Sequence, residues 1–293
     1  MDGILNINKP VGITSFDAVR KVRSILKIKR VGHTGTLDPG ASGVLPICIG
    51  GATKFVDYIM EGKKTYIAEL RLGITTDTYD KYGKVVSESP VELDKEQIIN
   101  VIMNFVGDIE QIPPMYSAIK VNGKRLYELA RKGIEVERKS RSITIYSIDI
   151  LNFNLPYIKL KIQCSKGTYI RSLCYDIGKK LGCGGTMWSL ERTHTGEFDI
   201  SDSIPVLELS TEKIFNNLTP VDRALNKYPP VYIEDNFKKK ILNGVIIKDN
   251  DFLNSINEDR LYRVYVDKNK FIGIGINKKN IGFKITKLLI RGK

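Results

Sequence analysis

Apolar residues recur at two different spacings along this chain, and the order of the two excludes most architectures. Residues 3–8 alternate apolar and polar in the manner of a strand, and Lys9-Pro10-Val11-Gly12 breaks the pattern. From Thr14 or Ser15 the spacing becomes helical, with Val19, Val22, Ile25 and Leu26 on one stripe. Alternation returns at residues 66–72, placing Tyr66, Ala68, Leu70 and Leu72 on one face. A second helix is predicted from the capping box at Asp94 and Gln97, through Ile98, Ile99, Ile102 and Phe105, to a stop at Gly107. Residues 143–153 and 157–164 read as strands around Asn154-Leu155-Pro156, and residues 168–182 as a helix carrying Ile170, Leu173, Cys174, Ile177 and Leu181. Strands and helices mix without regular β-α-β alternation, so an α+β fold is expected rather than a doubly wound sheet.

The length of 293 residues favours two domains. The composition shifts at Tyr228-Pro229-Pro230, and beyond it a hairpin is expected, with strands at 261–266 and 271–276. From Tyr228 onward there are 14 Lys and Arg against 7 Asp and Glu. The expected division is therefore 1–227 and 228–293, the second a small basic β domain. The whole chain carries +13 at pH 7, which points to a polyanionic partner. Its longest uncharged stretch, residues 39–53, is too short for a membrane-spanning helix and holds Pro and Gly. The first residues lack the cationic start and apolar core of a secretory signal. Cys48, Cys164, Cys174 and Cys183 form no CxxC pair and no zinc spacing, and only His33 and His194 are available beside them. Buried thiols in a reducing cytoplasm are the expectation, with no metal.

Chemistry concentrates at residues 31–43, Val-Gly-His-Thr-Gly-Thr-Leu-Asp-Pro-Gly-Ala-Ser-Gly, which lead into the apolar run Val44-Leu45-Pro46-Ile47-Cys48-Ile49. Such a run anchors a loop in the core and leaves it projecting from a rigid scaffold. Pro39 biases Asp38 toward an extended backbone. Asp38 is the only acid between Asp17 and Asp57, whereas Arg20, Lys21, Arg23, Lys27, Lys29, Arg30 and Lys54 are all cations. A phosphate-binding face gains nothing from a carboxylate, so an acid there suggests chemistry; an Asp-Pro turn is the competing explanation. No GxxxxGK[ST] phosphate loop is present, and Gly40-Ala41-Ser42-Gly43-Val44 lacks the last glycine of a nucleophile elbow.

The residues resemble a known family. Gly35-Thr36-Leu37-Asp38-Pro39 with Ala41-Ser42-Gly43-Val44-Leu45-Pro46 is similar to the signature of bacterial tRNA pseudouridine-55 synthases. The likeness extends in family order through Asn8-Lys9-Pro10-Val11-Gly12-Ile13-Thr14-Ser15 and Lys64-Thr65-Tyr66 to Leu72-Gly73, then Thr75-Thr76-Asp77-Thr78 with Asp80. It continues through Pro113-Pro114-Met115-Tyr116-Ser117-Ala118 and Cys164-Ser165-Lys166-Gly167-Thr168-Tyr169-Ile170-Arg171-Ser172-Leu173. The resemblance implies a pseudouridine-synthase fold: a mixed, largely antiparallel sheet flanked by helices, plus a C-terminal PUA-like RNA-binding domain.

The implied reaction isomerises one uridine of the tRNA T-loop without any cofactor or metal. Asp38 would be the catalytic carboxylate, attacking the ribose anomeric carbon or removing a ribose proton to give a glycal. Arg171 would pair with it; an exposed helix cation is the alternative for that residue. Tyr66 would stack on the flipped uracil and assist loss of the C5 proton, whereas its alternation alone reads as core. His33 would stabilise the opened loop, Lys9 and Asp80 would support loops or touch RNA, and Leu190 would line the pocket. Candidate phosphate contacts are the Arg20 to Arg30 segment, Lys120-Val121-Asn122-Gly123-Lys124-Arg125 and Arg131-Lys132. A monomer without an obligate protein partner is expected. Two residues depart from the family pattern: Gly40, where many relatives carry a larger apolar side chain and whose absence is expected to loosen the loop, and Glu191, where a basic residue is common. The rival class is a non-catalytic RNA-binding or tRNA-folding protein using the same cleft, from which the lone Asp38 is the discriminating feature.

Overall fold

The structure, a computed structural model, describes residues 1–121 and 123–289. Its centre is a mixed, largely antiparallel sheet in the order Ile204–Pro205, Gly3–Lys9, Ser42–Ile49, Gly185–Thr195, Lys64–Leu72, Tyr157–Cys164, Arg141–Asn154, Gly107–Gln111. Parallel pairing occurs where Ser42 and Gly43 meet Glu191 and Arg192, and where Ile7 and Asn8 meet Ile204 and Pro205.

The apolar run after the glycine loop becomes the Ser42–Ile49 strand, which is buried on both faces. Leu45, Ile47 and Ile49 enter the main core with Val19, Val22, Leu70, Ile162, Leu173 and Ile177. Val44 and Cys48 point the other way, into a second core with Ile4, Phe55, Phe198 and Leu225. A strand covered on both sides needs apolar residues at every position, so it reads as a continuous run rather than an alternation.

The expected helices form as Ser15–Leu26, Lys95–Met103 and Ile170–Leu181. Thr14 and Asp17 cap the first reciprocally, and Asp94 and Gln97 cap the second. The second helix stops before Phe105, and Gly107 opens the next strand instead of ending the helix. The strands expected around Asn154-Leu155-Pro156 are Arg141–Asn154 and Tyr157–Cys164, joined through a cis Leu155–Pro156 bond. The central strand Gly185–Thr195 was not anticipated from periodicity. Its alternation is broken by Thr186, Arg192 and Thr195, polar residues buried by their neighbours.

Beyond residue 229 a separate four-stranded sheet forms from Pro230–Tyr232, Leu261–Val266, Lys270–Lys278 and Gly282–Leu288. The expected hairpin turns at Asp267 and Lys268, both at positive φ. Val231, Ile241, Val264, Ile272 and Phe283 make its own small core. Ile274 and Phe271 turn outward into the second core of the main body. Polar contacts reinforce that junction: Arg263 Nε donates to the Tyr228 carbonyl at 2.8 Å, and the Tyr265 hydroxyl to Asp222 Oδ2 at 3.1 Å. Among the described residues no helix is long and apolar enough to cross a membrane.

Candidate active site

The loop carrying Asp38 is fixed at several points. The Leu37 amide donates to Ser15 Oγ at 2.9 Å, Ser15 Oγ donates back to the Leu37 carbonyl at 3.0 Å, and the Gly12 amide donates to the Pro39 carbonyl at 2.8 Å. Leu37 and Ala41 are buried on either side, so the backbone around Asp38 is held from below while its carboxylate projects. The loop leads into the strand through Gly43, whose φ of 107° brings its backbone against Arg192; a Cβ there would overlap the Arg192 carbonyl oxygen. Only glycine allows that approach.

Arg171 occupies the first turn of the Ile170–Leu181 helix. An exposed cation was the alternative for this position, yet its side chain is only 6% exposed. The helix start is covered because Gln111 exchanges hydrogen bonds with the Tyr169 backbone (2.8 and 3.1 Å) and Ser172 Oγ donates to the Ile112 carbonyl at 2.9 Å. The guanidinium then serves three loops. It pairs with Asp38 at 2.9 Å from Nε to Oδ2 and 3.3 Å from Nη2 to Oδ1. It donates to the Tyr116 carbonyl at 2.8 Å and the Thr78 carbonyl at 3.2 Å, and lies 3.8 Å from Asp80 Oδ2. Asp80 is itself held through Oδ1, which accepts from Thr78 Oγ1 at 2.8 Å and the Tyr82 amide at 3.0 Å. Motifs far apart in sequence meet on one side chain.

Tyr66 sits in the Lys64–Leu72 strand, paired in register with Ile162 on one side and Arg192 on the other. Burial pushes its phenol up, the Arg192 guanidinium pulls it back, and the Asp38 charge adds to the rise. Lys9 ends the Gly3–Lys9 strand, is fully buried, and donates Nζ to the Pro10 and Ile13 carbonyls, each at 2.9 Å. Burial lowers its ammonium to about 8, against the raising influence of Asp38. His33 lies at the end of the short Val31–His33 strand. Its pKa is lowered by burial and then by Arg192, and its Nδ1 is buried without a hydrogen-bond partner among the described residues. Leu190 lies opposite Ala68, half-buried against the main core and two residues from Arg192 on the same strand.

Arg192 is the residue that sequence reasoning missed. It is 2% exposed, and Nε donates to the Val44 carbonyl at 2.8 Å and a terminal nitrogen to the Gly35 carbonyl at 3.3 Å. It acts on Lys9, His33, Lys64 and Tyr66 together. The neighbouring Glu191 is only partly buried, and nothing local marks Arg192 as internal. Of the surface clusters, Arg20, Lys21, Lys27, Lys29, Arg30, Lys120, Lys124, Arg125, Arg131 and Lys132 are exposed, Arg23 donates to the Val31 carbonyl at 2.8 Å, and Asn122 lies outside the described residues. The four cysteines are buried and unpaired. Among the described residues no group of three His, Cys, Asp or Glu side chains gathers to hold a metal.

Chemically, the arrangement is a partly open carboxylate, 38% exposed, backed by a buried guanidinium and set near a buried phenol. Residues 23–170 match the TruB family pseudouridylate synthase (N terminal domain), and residues 171–227 match the tRNA pseudouridylate synthase B C-terminal domain. The tRNA pseudouridine synthase B of Clostridium kluyveri is 64% identical over 99% of this chain and 100% of its own. That of Clostridium acetobutylicum is 54% identical with the same coverage. Among solved structures, a chain of a Cbf5-Nop10-Gar1 complex superposes with a TM-score of 0.76 at 25% identity, covering 99% of this chain and 85% of that one. The chain belongs to the TruB family and is a pseudouridine synthase, an isomerase.

Proposed function

We propose that the chain isomerises uridine-55 in the T-loop of tRNA, with Asp38 as the catalytic carboxylate. The pairing of Asp38 with Arg171 carries this reading, because it leaves the carboxylate open on one side and its counterion buried on the other. The curated relatives named above act on tRNA by their names, and the charge of +13 suits a folded RNA.

In the reaction the N1–C1′ bond breaks, uracil turns while bound, and C5 bonds to C1′. The C5 proton leaves and N1 gains one, so nothing is consumed. Asp38 either bonds transiently to C1′ or takes a ribose proton; both use its carboxylate, which the Arg171 guanidinium holds in place at 2.9 Å. Tyr66 would hold the detached uracil by stacking, worth about 1–3 kcal/mol for one base. Its phenol is kept neutral by burial, and the Arg192 guanidinium favours the phenolate when the C5 proton is to be taken. Lys9 and Asp80 brace the loops around the carboxylate through the contacts above. His33, largely neutral at pH 7 in its buried setting, is assigned to the opened T-loop, and Leu190 to the pocket wall. Reaching the target requires the uridine to be flipped out of the tRNA elbow.

Residues 228–293 are assigned to a second, RNA-binding unit; residues 290–293 of it lie outside the described residues. The enzyme is taken to act as a monomer in the cytoplasm, where four unpaired thiols fit. The decisive experiment is Asp38→Asn on a T-arm hairpin. Pseudouridine formation should be abolished while RNA affinity stays within about tenfold, or roughly 1.4 kcal/mol. Formation at the wild-type rate overturns the assignment.

A further inference from the structure

We propose that Tyr82 is a substrate-binding residue that stacks on an RNA base next to the reacting uridine, and that Gly40 is the residue that makes room for its ring. The inference deepens the reading of the Asp38 site above and rests on it.

Gly40 leaves the space that a larger residue would fill, and an aromatic ring from another loop occupies it. A Cβ at Gly40 would overlap Tyr82 Cε2 and lie 2.9 Å from Cδ2 and 3.1 Å from Cζ. The ring therefore lies against the backbone two residues past Asp38. The loop is packed from outside rather than loosened.

Tyr82 is anchored from behind as well. Its amide donates to Asp80 Oδ1 at 3.0 Å, and Thr76 Oγ1 donates to the Asp80 carbonyl at 2.7 Å, fixing the turn that carries it. Yet 61% of the residue remains exposed. Such a ring, held by its backbone and on one side, loses little freedom when a flat partner covers it. The Lys81 ammonium lies 5.3 Å from the ring centroid. An exposed aromatic beside a lysine offers a base a π-face and its phosphate a counterion, the pairing by which proteins hold unstacked RNA.

The test measures RNA affinity by fluorescence anisotropy on a T-arm hairpin, alongside pseudouridine formation. Tyr82→Ala should weaken binding and raise KM about tenfold, a factor equal to 1.4 kcal/mol, with kcat within about twofold. Tyr82→Phe keeps the ring and should bind as wild type. Gly40→Ala displaces the ring and should reproduce the Tyr82→Ala loss, while adding nothing further in a Tyr82→Ala background. That non-additivity distinguishes a displaced stacking surface from two independent defects. Wild-type affinity in Tyr82→Ala, a Phe variant as weak as the Ala variant, or an additive double variant overturns the proposal. Wild-type turnover on the same hairpin checks the substrate assignment separately, so failure of that reading is told apart from failure of the Tyr82 contact.

Discussion

Replacing Arg171 by lysine keeps the charge and removes the fork, and the contacts define what should be lost. The guanidinium reaches Asp38 through two nitrogens at 2.9 and 3.3 Å while also donating to the Tyr116 and Thr78 carbonyls. An ammonium is a single point on a flexible stem and cannot hold all of these positions. At least one carbonyl in this part-buried setting loses its donor, which costs about 1–3 kcal/mol. The Asp38 side of the ion pair is 38% exposed and therefore screened by water. Its weakening adds no more than about 1 kcal/mol. Arg171→Lys should thus lose about 1–4 kcal/mol of stability in urea titrations. Activity should fall further than stability implies, because a carboxylate displaced by about 1 Å costs roughly a hundredfold in rate. Single-turnover pseudouridine formation on folded variant, in dilute urea-free buffer, reads that second loss. A lysine variant with wild-type turnover and stability would refute the claim that one guanidinium both assembles the loops and aims Asp38.

Tyr66→Phe should retain RNA affinity and lose turnover; equal turnover removes the phenol from proton transfer, and hairpin binding with single-turnover rates decides. Gly43→Ala should cost about 3 kcal/mol or more, because a Cβ would meet the Arg192 backbone at an unfavourable φ, and urea midpoints check it. Lys9 is held at about 8, mainly by burial, against an ordinary 10.5. Between those values the unfolded chain binds a proton that the folded chain has released, so this group makes stability rise with pH. Lys9→Met should flatten part of that rise between about pH 8 and about pH 10.5 in urea titrations, and an unchanged slope refutes it.

The amino-acid sequence alone determined whatever depends on short range. Thr14 with Asp17 and Asp94 with Gln97 mark helix starts because capping is settled within four residues. Val44 to Ile49 reads as a core anchor for the glycine loop because no polar side chain interrupts it, and the structure makes that run a strand buried on both faces. Asp38 stands out as a lone acid among cations, and the family motifs around Tyr66 and Arg171 are contiguous enough to read directly. The tertiary structure decided which charges are internal. Arg171 and Arg192 look like any helix or strand cation, and both are buried because carbonyls from distant loops are brought to them. Tyr82 over Gly40 belongs to the same class: the ring and the space it fills come from separate loops, and no local spacing encodes that they meet. Burial of a charge is a property of the partners assembled around it, and those partners exist only once the sheet has brought residues 35, 44, 66 and 192 together.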